Sequence, residues 1–446
     1  MNNKKRPYKL PKPLLCDPDE KITMELVEEY IWMHEERMPR YSYLENLYIG
    51  FHDVFNLPEK ESWKPDNRLV VNFPKFMTDV FTGYAYGIPV KKTFDDDNFG
   101  EKVTEFDDLN NIIDHDYEMV KMACKYGHAF EYFYQDETGK TRVKGYNPKN
   151  IFVVYEDSLK KSALFAVRYG RKRKTGERYG EVITPLWIRD FKGSVFVGEE
   201  RENVYGKINI VEWVLNDERL GLYECVAGLT ETINKGLGEK ANDVDAFAEA
   251  YLAILGAEVD DDDVYRIRDN RIINLYGTDD ARDILVQFLQ KPVADGTQEN
   301  LLDRSERFIH KIGMVPDINS ESFGNSSGTA LAYKLLSMDD LANTLDRKVT
   351  KSMSKRYKIF CTMKTNSQDP DAWKGIHYKT FRNVPKNMSE EAQTARNLES
   401  VVSKRTQFKA LSIVDNPDEE IERMRKEKQE ELNGFSDINF DGGANV

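Results

Sequence analysis

One apolar stripe constrains the fold of this chain more than any other feature. Leu331, Leu335, Met338, Leu341, Leu345, Val349, Met353 and Phe360 recur at helical spacing, which predicts one long helix from Thr329 to about Thr362. Its charges are ordered as well. Asp339, Asp340 and Asp346 come before Arg347, Lys348, Lys351, Lys355, Arg356 and Lys358, the arrangement that the helix macrodipole favours. On spacing alone, the basic half fits a solvated face as well as a binding one.

A chain of 446 residues corresponds to about three average domains. Charged residues make up 32% and aromatics 11%, against roughly 25% charged in an ordinary soluble domain, so a folded protein with an unusually charged surface is expected. The 64 Lys and Arg against 77 Asp and Glu leave a net charge of −13. That balance disfavours a static clamp on nucleic acid, because such affinity comes mainly from neutralised phosphates. No apolar run approaches the ~18 residues of a membrane span, and the charged start Lys4-Lys5-Arg6 leads into Pro11, Pro13 and acids instead of an apolar segment. A soluble chain without a secretion signal is expected. Cys16, Cys124, Cys225 and Cys361 are too widely separated for a disulfide framework or a zinc site and read as reduced, mostly buried thiols.

Along the chain, Ile22, Leu26, Tyr30 and Met33 predict a helix over 17–38 that Pro39 closes. Leu69 to Phe81 reads as buried, with extended structure from Gly83, and Asp107 to Tyr126 as one helix. Between Ala129 and Val214 the apolar period shortens towards 2, which predicts a mostly antiparallel sheet with hairpin tips at Gly139-Lys140 and Thr175-Gly176. A glycine-interrupted helical block follows from Leu220 to Phe247. Tyr251–Leu255, Ile272–Tyr276 and Ile284–Leu289 then read as three short strands, and Gln298–Ile312 as a short helix. After the long helix come a strand at Ile376–Phe381 and helical stretches at Ser389–Ala410 and Asp415–Leu432.

Catalytic equipment is not legible. Gly139-Lys140-Thr141 has Tyr134 where a phosphate loop needs glycine. Asp95-Asp96-Asp97-Asn98-Phe99-Gly100 opens like a calcium loop but has Phe106 at the twelfth position, where Glu is needed. The run Asp260 to Asp263 fits a solvated turn or docking surface better than a Mg²⁺ site. No two of His34, His52, His115, His128, His310 and His377 share the four-residue spacing of helical metal ligands. Cys124 near His128 reads as a packed pair and not as a nucleophile with its base.

Asn67-Arg68-Leu69-Val70-Val71-Asn72-Phe73-Pro74-Lys75, followed by Gly83-Tyr84 and Gly87-Ile88-Pro89-Val90, resembles the SPP1-type portal proteins of tailed bacteriophages. Tyr126-Gly127-His128-Ala129, Asn147-Pro148, Ala241-Asn242-Asp243 with Phe247, and Phe323-Gly324-Asn325-Ser326-Ser327-Gly328-Thr329-Ala330-Leu331 follow in family order. Ser403, Thr406, Asp415, Pro417 and Glu419 resemble the closing helices, so the resemblance spans roughly residues 25 to 430. Two features depart from the pattern: Lys235-Gly236-Leu237-Gly238 interrupts a helix that is usually continuous, and the insertion after it is compact.

The resemblance implies an α+β portal fold with wing, stem, clip and crown that forms a ring of about twelve copies at one capsid vertex. It places a wing at 1–217, stem helices at 218–250 and 297–313, a clip at 251–296, a tunnel loop at 314–328, the long helix and return to the wing at 329–385, a crown at 386–433 and a disordered tail at 434–446. It implies a channel for packaging and ejection of double-stranded DNA, no enzymatic activity and no cofactor or metal. Asn319, Ser320, Asn325, Ser326 and Ser327 would face DNA in the tunnel loop, and Lys348, Lys351, Lys355 and Arg356 would face the channel or a neighbouring subunit. Asp260, Asp261, Asp262, Asp263, Arg266, Asp279 and Asp280 would face the terminase or adaptor from the clip. The implied partners are further copies of the chain, double-stranded DNA, the terminase large subunit, a head-completion or adaptor protein, and the major capsid and scaffolding proteins, with no membrane. The implied location is the portal vertex of the virion, with the host cytoplasm during assembly. The alternative is a metal-dependent nuclease or other packaging enzyme that uses the Asp clusters.

Overall fold

The computed structural model describes residues 12–61, 64–247, 251–255, 285–289, 295–319, 328–384, 388–411, 413, 414 and 416–436. These form two compact units, one drawn from 1–316 and 337–381, the other from 317–336 and 382–446.

The first unit begins with β1 (Leu14–Cys16), α1 (Met24–Glu35), α2 (Met38–Ile49) and α3 (Phe73–Tyr86). The first helix starts later than its acidic lead-in suggests, because Thr23 is the residue whose hydroxyl accepts from the Leu26 N–H. Pro39 does not close a helix. It sits in the first turn of α2, where its missing N–H costs nothing. Asn72 caps α3, and this helix runs through Gly83 to Tyr86 instead of giving way to extended structure. Then come β2 (Lys91–Phe94), α4 (Asp97–Leu109) and α5 (Ile112–Tyr126). The predicted single helix over 107–126 is broken by Asn111, which takes a left-handed φ of 48°.

Nine strands, β1 and the eight that follow, build two sheets. The strands are β3 (His128–Gln135), β4 (Thr141–Tyr146), β5 (Ile151–Glu156), β6 (Ala163–Arg171), β7 (Arg178–Ile183), β8 (Trp187–Lys192), β9 (Val195–Glu202) and β10 (Ile210–Val214). One sheet has the order β1-β5-β6-β7-β8-β9 and the other β10-β3-β4. Every pairing in them is antiparallel except β1 on β5. Alternation decides the layering. Phe152, Val154, Phe165, Val167 and Val182 turn to one face, where Leu26, Val27, Tyr30 and Ile31 of α1 cover them. Ile151, Val153, Ala166 and Ile183 turn to the other and meet Phe130, Ile208 and Ile210 beside the smaller sheet. The expected turns lie at Gly139, φ 73°, and Gly176, φ 68°.

Beyond the sheets run α6 (Ala227–Phe247), β11 (Tyr251–Leu255), β12 (Leu285–Leu289) and α7 (Asp295–Gly313). α6 is uninterrupted through Gly236 and Gly238. A Cβ on Gly236 would stand 2.8 Å from a Leu302 methyl of α7, and one on Gly238 would stand 2.8 Å from the Asn67 carbonyl oxygen. The two glycines are close-approach positions, not breaks. β11 pairs antiparallel with β12, whereas the strand expected at Ile272–Tyr276 lies outside the described residues. α8 (Gly328–Phe360) is the long helix, of 33 residues, and β13 (Ile376–Lys379) returns to pair with β2.

The second unit holds the first turns of α8 together with α9 (Met388–Asn397), α10 (Lys404–Lys409) and α11 (Pro417–Ser436). The stretch predicted as one helix over 389–410 is therefore two. Ser403 caps the second of them by accepting from the Thr406 N–H. Gln407 donates back to the Ala395 carbonyl, and Arg405 pairs with Asp418 at the start of α11.

Candidate subunit-facing and channel-facing surfaces

The C-terminal half of α8 is fixed from two sides. Met338, Ala342, Leu345, Val349, Met353 and Tyr357 are buried at helical spacing. Arg356 falls on the same stripe, three residues after Met353 and four before Phe360, so its charge had to go inside. It is fully buried, 2.5 Å from Asp116 and 2.7 Å from Glu131, with its guanidinium 5.0 Å from the Trp213 ring centre. The expectation that Arg356 faces a channel or a subunit is thereby corrected: the side chain is an internal tie between α8, α5 and β3. His115 also binds Glu131, at 2.8 Å. Burial alone would raise the Glu131 pKa, but the Arg356 charge and then the His115 hydrogen bond hold it down at about 2.

A second tie surrounds Glu212 on β10, whose carboxylate accepts from His128 Nδ1 at 2.8 Å, from Arg219 at 2.7 and 2.8 Å and from the Tyr155 hydroxyl at 2.6 Å. Burial opposes its ionisation, but the His128 and Arg219 hydrogen bonds outweigh that and keep its carboxyl well below the usual range. His128 Nε2 receives the Tyr41 hydroxyl at 2.9 Å. The Glu212 backbone carbonyl accepts from Ser352 of α8 at 3.0 Å. Asp346 of α8 accepts from Tyr86 and Thr380, and the Tyr357 hydroxyl donates to Asp107, which Lys92 also binds.

The Tyr126-Gly127-His128 motif serves this framework. Gly127 has a φ of +88°, and a Cβ there would lie 1.9 Å from the Arg219 carbonyl oxygen, so only glycine lets the 219–220 backbone pass. Arg40, fully buried, donates to the Tyr126 and Arg219 carbonyls and to both oxygens of Glu224. Cys124 is buried, and that burial pushes its thiol up to about 12, which suits packing and not nucleophilic attack.

The other residues singled out in the sequence fall into three groups. Lys348 binds Asp217 at 2.6 Å, while Lys351 and Lys355 are exposed. Together with Lys207, Arg219 and Lys358 they line a cleft of about 860 Å³ beside β10. Desolvation in this cleft, followed by the Lys351 charge, weakens the hold of Lys355 on its proton. Asn319 is exposed, and its N–H donates to Asp317. Ser320, Asn325, Ser326, Ser327, Asp260, Asp261, Asp262, Asp263, Arg266, Asp279 and Asp280 lie outside the described residues. Of the earlier acidic run, Asp96 caps α4 and Asp95 binds His377. Lys207 and Arg219 were missed because they are far from α8 in sequence and converge on it only through the sheet. Among the described residues, no helix is long and apolar enough to cross a membrane, and no group of three or more His, Cys, Asp or Glu residues is placed to hold a metal ion.

Comparison with known proteins agrees with the motifs. The portal protein of Bacillus phage SPP1 is 21% identical, over 95% of this chain and 88% of its own length. The portal protein of Clostridium phage phiCD119 is also 21% identical, over 86% of this chain and 90% of its own. Chains from the neck of an empty GTA particle (C6 symmetry) and of a native GTA particle (C12 symmetry) match with a TM-score of 0.45 each. They are 10% and 11% identical and cover 75% and 76% of this chain and 88% and 89% of theirs. The family described as phage portal protein, SPP1 Gp6-like, matches residues 28–434, and on that near-complete match the chain belongs to the SPP1-like phage portal proteins.

Proposed function

We propose that this chain is the subunit of a ring of about twelve copies at one capsid vertex, through which the terminase packs double-stranded DNA and through which the DNA later leaves. The observation that carries the reading is the family match across residues 28–434. Charge supports it. A conduit must hold DNA without gripping it, and each phosphate paired with Lys or Arg adds salt-dependent affinity and friction, so a net charge of −13 per copy suits passage. The role is structural and not enzymatic.

Within that reading, 1–217 is the wing, 218–250 and 297–313 the stem, 251–296 the clip and 386–433 the crown. The clip acids Asp260 to Asp263, Asp279 and Asp280, with Arg266, meet the terminase and later an adaptor protein. Asn319, Ser320, Asn325, Ser326 and Ser327 of the loop 314–328 make sequence-blind contacts with phosphate or sugar. Capsid and scaffolding proteins surround the ring, which is assembled in the host cytoplasm and retained in the virion. Negative-stain electron microscopy of the purified protein tests the reading. Rings with a hole wide enough for a duplex of about 20 Å, a scale that follows from the groove dimensions of DNA, are expected. A protein that forms no ring, either alone or co-expressed with its scaffolding protein, refutes it.

A further inference from the structure

The cleft beside β10 carries more cation than its own chain neutralises. Eight basic side chains line it against two carboxylates, Glu212 and Asp217. Glu212 is bound by Arg219 and His128, and Asp217 by Lys348. Lys351, Lys355 and Lys358 form no ion pair among the described residues, although the Lys358 ammonium lies 5.5 Å from the Trp373 ring centre. With Lys348 they make a basic stripe at steps of three, four and three residues along one helix face.

A matching stripe of opposite sign exists elsewhere in the same unit. α4 buries Phe99, Gly100, Val103 and Phe106 on one face. Its other face exposes Asp97, Glu101, Glu105 and Asp108 at steps of four, four and three. Lys140 pairs with Glu105, and Lys102 also lies on the exposed side. Asp97, Glu101 and Asp108 have no ion-pair partner among the described residues. Each stripe covers about three helical turns, or roughly 15 Å at ~1.5 Å per residue.

We infer that the acidic face of α4 from one copy of this chain lies along the basic cleft of the next. The positions permit it. The cleft borders β10, whereas α4 packs beside β4, with Arg142 of β4 donating to the Leu109 carbonyl and Asn110 to the Thr141 carbonyl. In the order β10-β3-β4 those are opposite edges of one sheet. One copy can therefore offer its α4 to one neighbour and its cleft to another. Such a head-to-tail contact between unlike patches repeats around a closed ring. Residues 1–11 of the same chain are poor occupants of the cleft, because they carry Lys4, Lys5, Arg6 and Lys9 and no acid. The inference rests on the ring reading above.

Charge exchange tests it. Lys351→Glu with Lys355→Glu is expected to abolish rings in electron microscopy, as is Glu101→Lys with Asp108→Lys, while circular dichroism shows both variants folded. Combining the four substitutions in one chain is expected to restore rings. Wild-type ring yield from either double variant, or no recovery in the combined one, overturns the inference while leaving the ring reading intact. If the wild type forms no ring, the contact is read separately in a Cys225→Ser background by mixing a Lys355→Cys chain with a Glu101→Cys chain under oxidising conditions. A disulfide between the two chains supports the contact, and its absence overturns it.

Discussion

Replacing Arg356 by Met keeps an unbranched apolar stem and removes the guanidinium that holds α8 to α5 and β3. Glu131 is fully buried and would retain only His115, at 2.8 Å, and the Trp213 indole N–H, at 3.4 Å. Its pKa of about 2, against an ordinary 4.5, corresponds to about 3 kcal/mol of stability at roughly 1.4 kcal/mol per pH unit. Breaking a buried ion pair from one side typically costs about 3–5 kcal/mol, and the two figures agree. Because this carboxyl is depressed in the folded chain, its contribution is complete above pH 4.5 and lost as the pH falls towards 2. Without Arg356, burial dominates and Glu131 resists ionisation, so the deficit of the variant is largest near neutrality and narrows below pH 4.5. Urea unfolding followed by circular dichroism at pH 7 and pH 4 measures both quantities. A variant within about 1 kcal/mol of wild type at pH 7, or one whose deficit is as large at pH 4, would refute the reasoning.

Three further outcomes are expected. Gly127→Ala meets both a left-handed φ and a carbonyl oxygen 1.9 Å from the new Cβ, so it should lose more than the ~1–2 kcal/mol of left-handed strain alone; a thermal midpoint equal to wild type contradicts this. His34 is buried between the Tyr169 hydroxyl and the Pro148 carbonyl, and burial lowers its pKa to about 3. Its unfolded form binds a proton first, so stability falls as the pH drops from about 6.5 towards 3, by about 2 kcal/mol at pH 5; His34→Gln should flatten that part of the profile, and an unchanged slope counts against the assignment. Bulky replacements of Asn325 and Ser326 should alter the amount of DNA packaged while rings still assemble, and normal head filling would remove those residues from the tunnel loop.

Where a residue's environment is set by local periodicity, the sequence shows it. Strands β5 and β6 are visible as short apolar runs because both of their faces are dry; the strand expected at Ile183–Ile188 instead straddles the turn between β7 and β8, where local alternation does not mark the corner. The stripe of α8 is visible as helical spacing because one face is dry. Even Arg356 obeys this rule: its position on the stripe is visible, although the partners that make its burial tolerable, Asp116 and Glu131, are not. The β10 cleft is a different case. Lys207, Arg219 and Lys351 become neighbours only through the pairing of β10 with β3 and the packing of α8 across it, and no spacing in the chain encodes that. Glycine proved the most misleading letter. Gly83 and Gly236 read as interruptions but lie inside continuous helices, and at Gly236 the missing side chain serves a close approach of α7 and not a bend.

Four side chains along the C-terminal half of α8 are bonded to separate elements of the sheet-bearing unit: Asp346 to Tyr86 of α3, Ser352 to the β10 backbone, Arg356 to Asp116 of α5 and Tyr357 to Asp107 of α4. They work like rivets along a seam, because this half of the helix cannot shift against one neighbour without straining its bonds to the others. The Arg356 rivet is the costliest to draw, since it would leave Asp116 and the fully buried Glu131 without their cation.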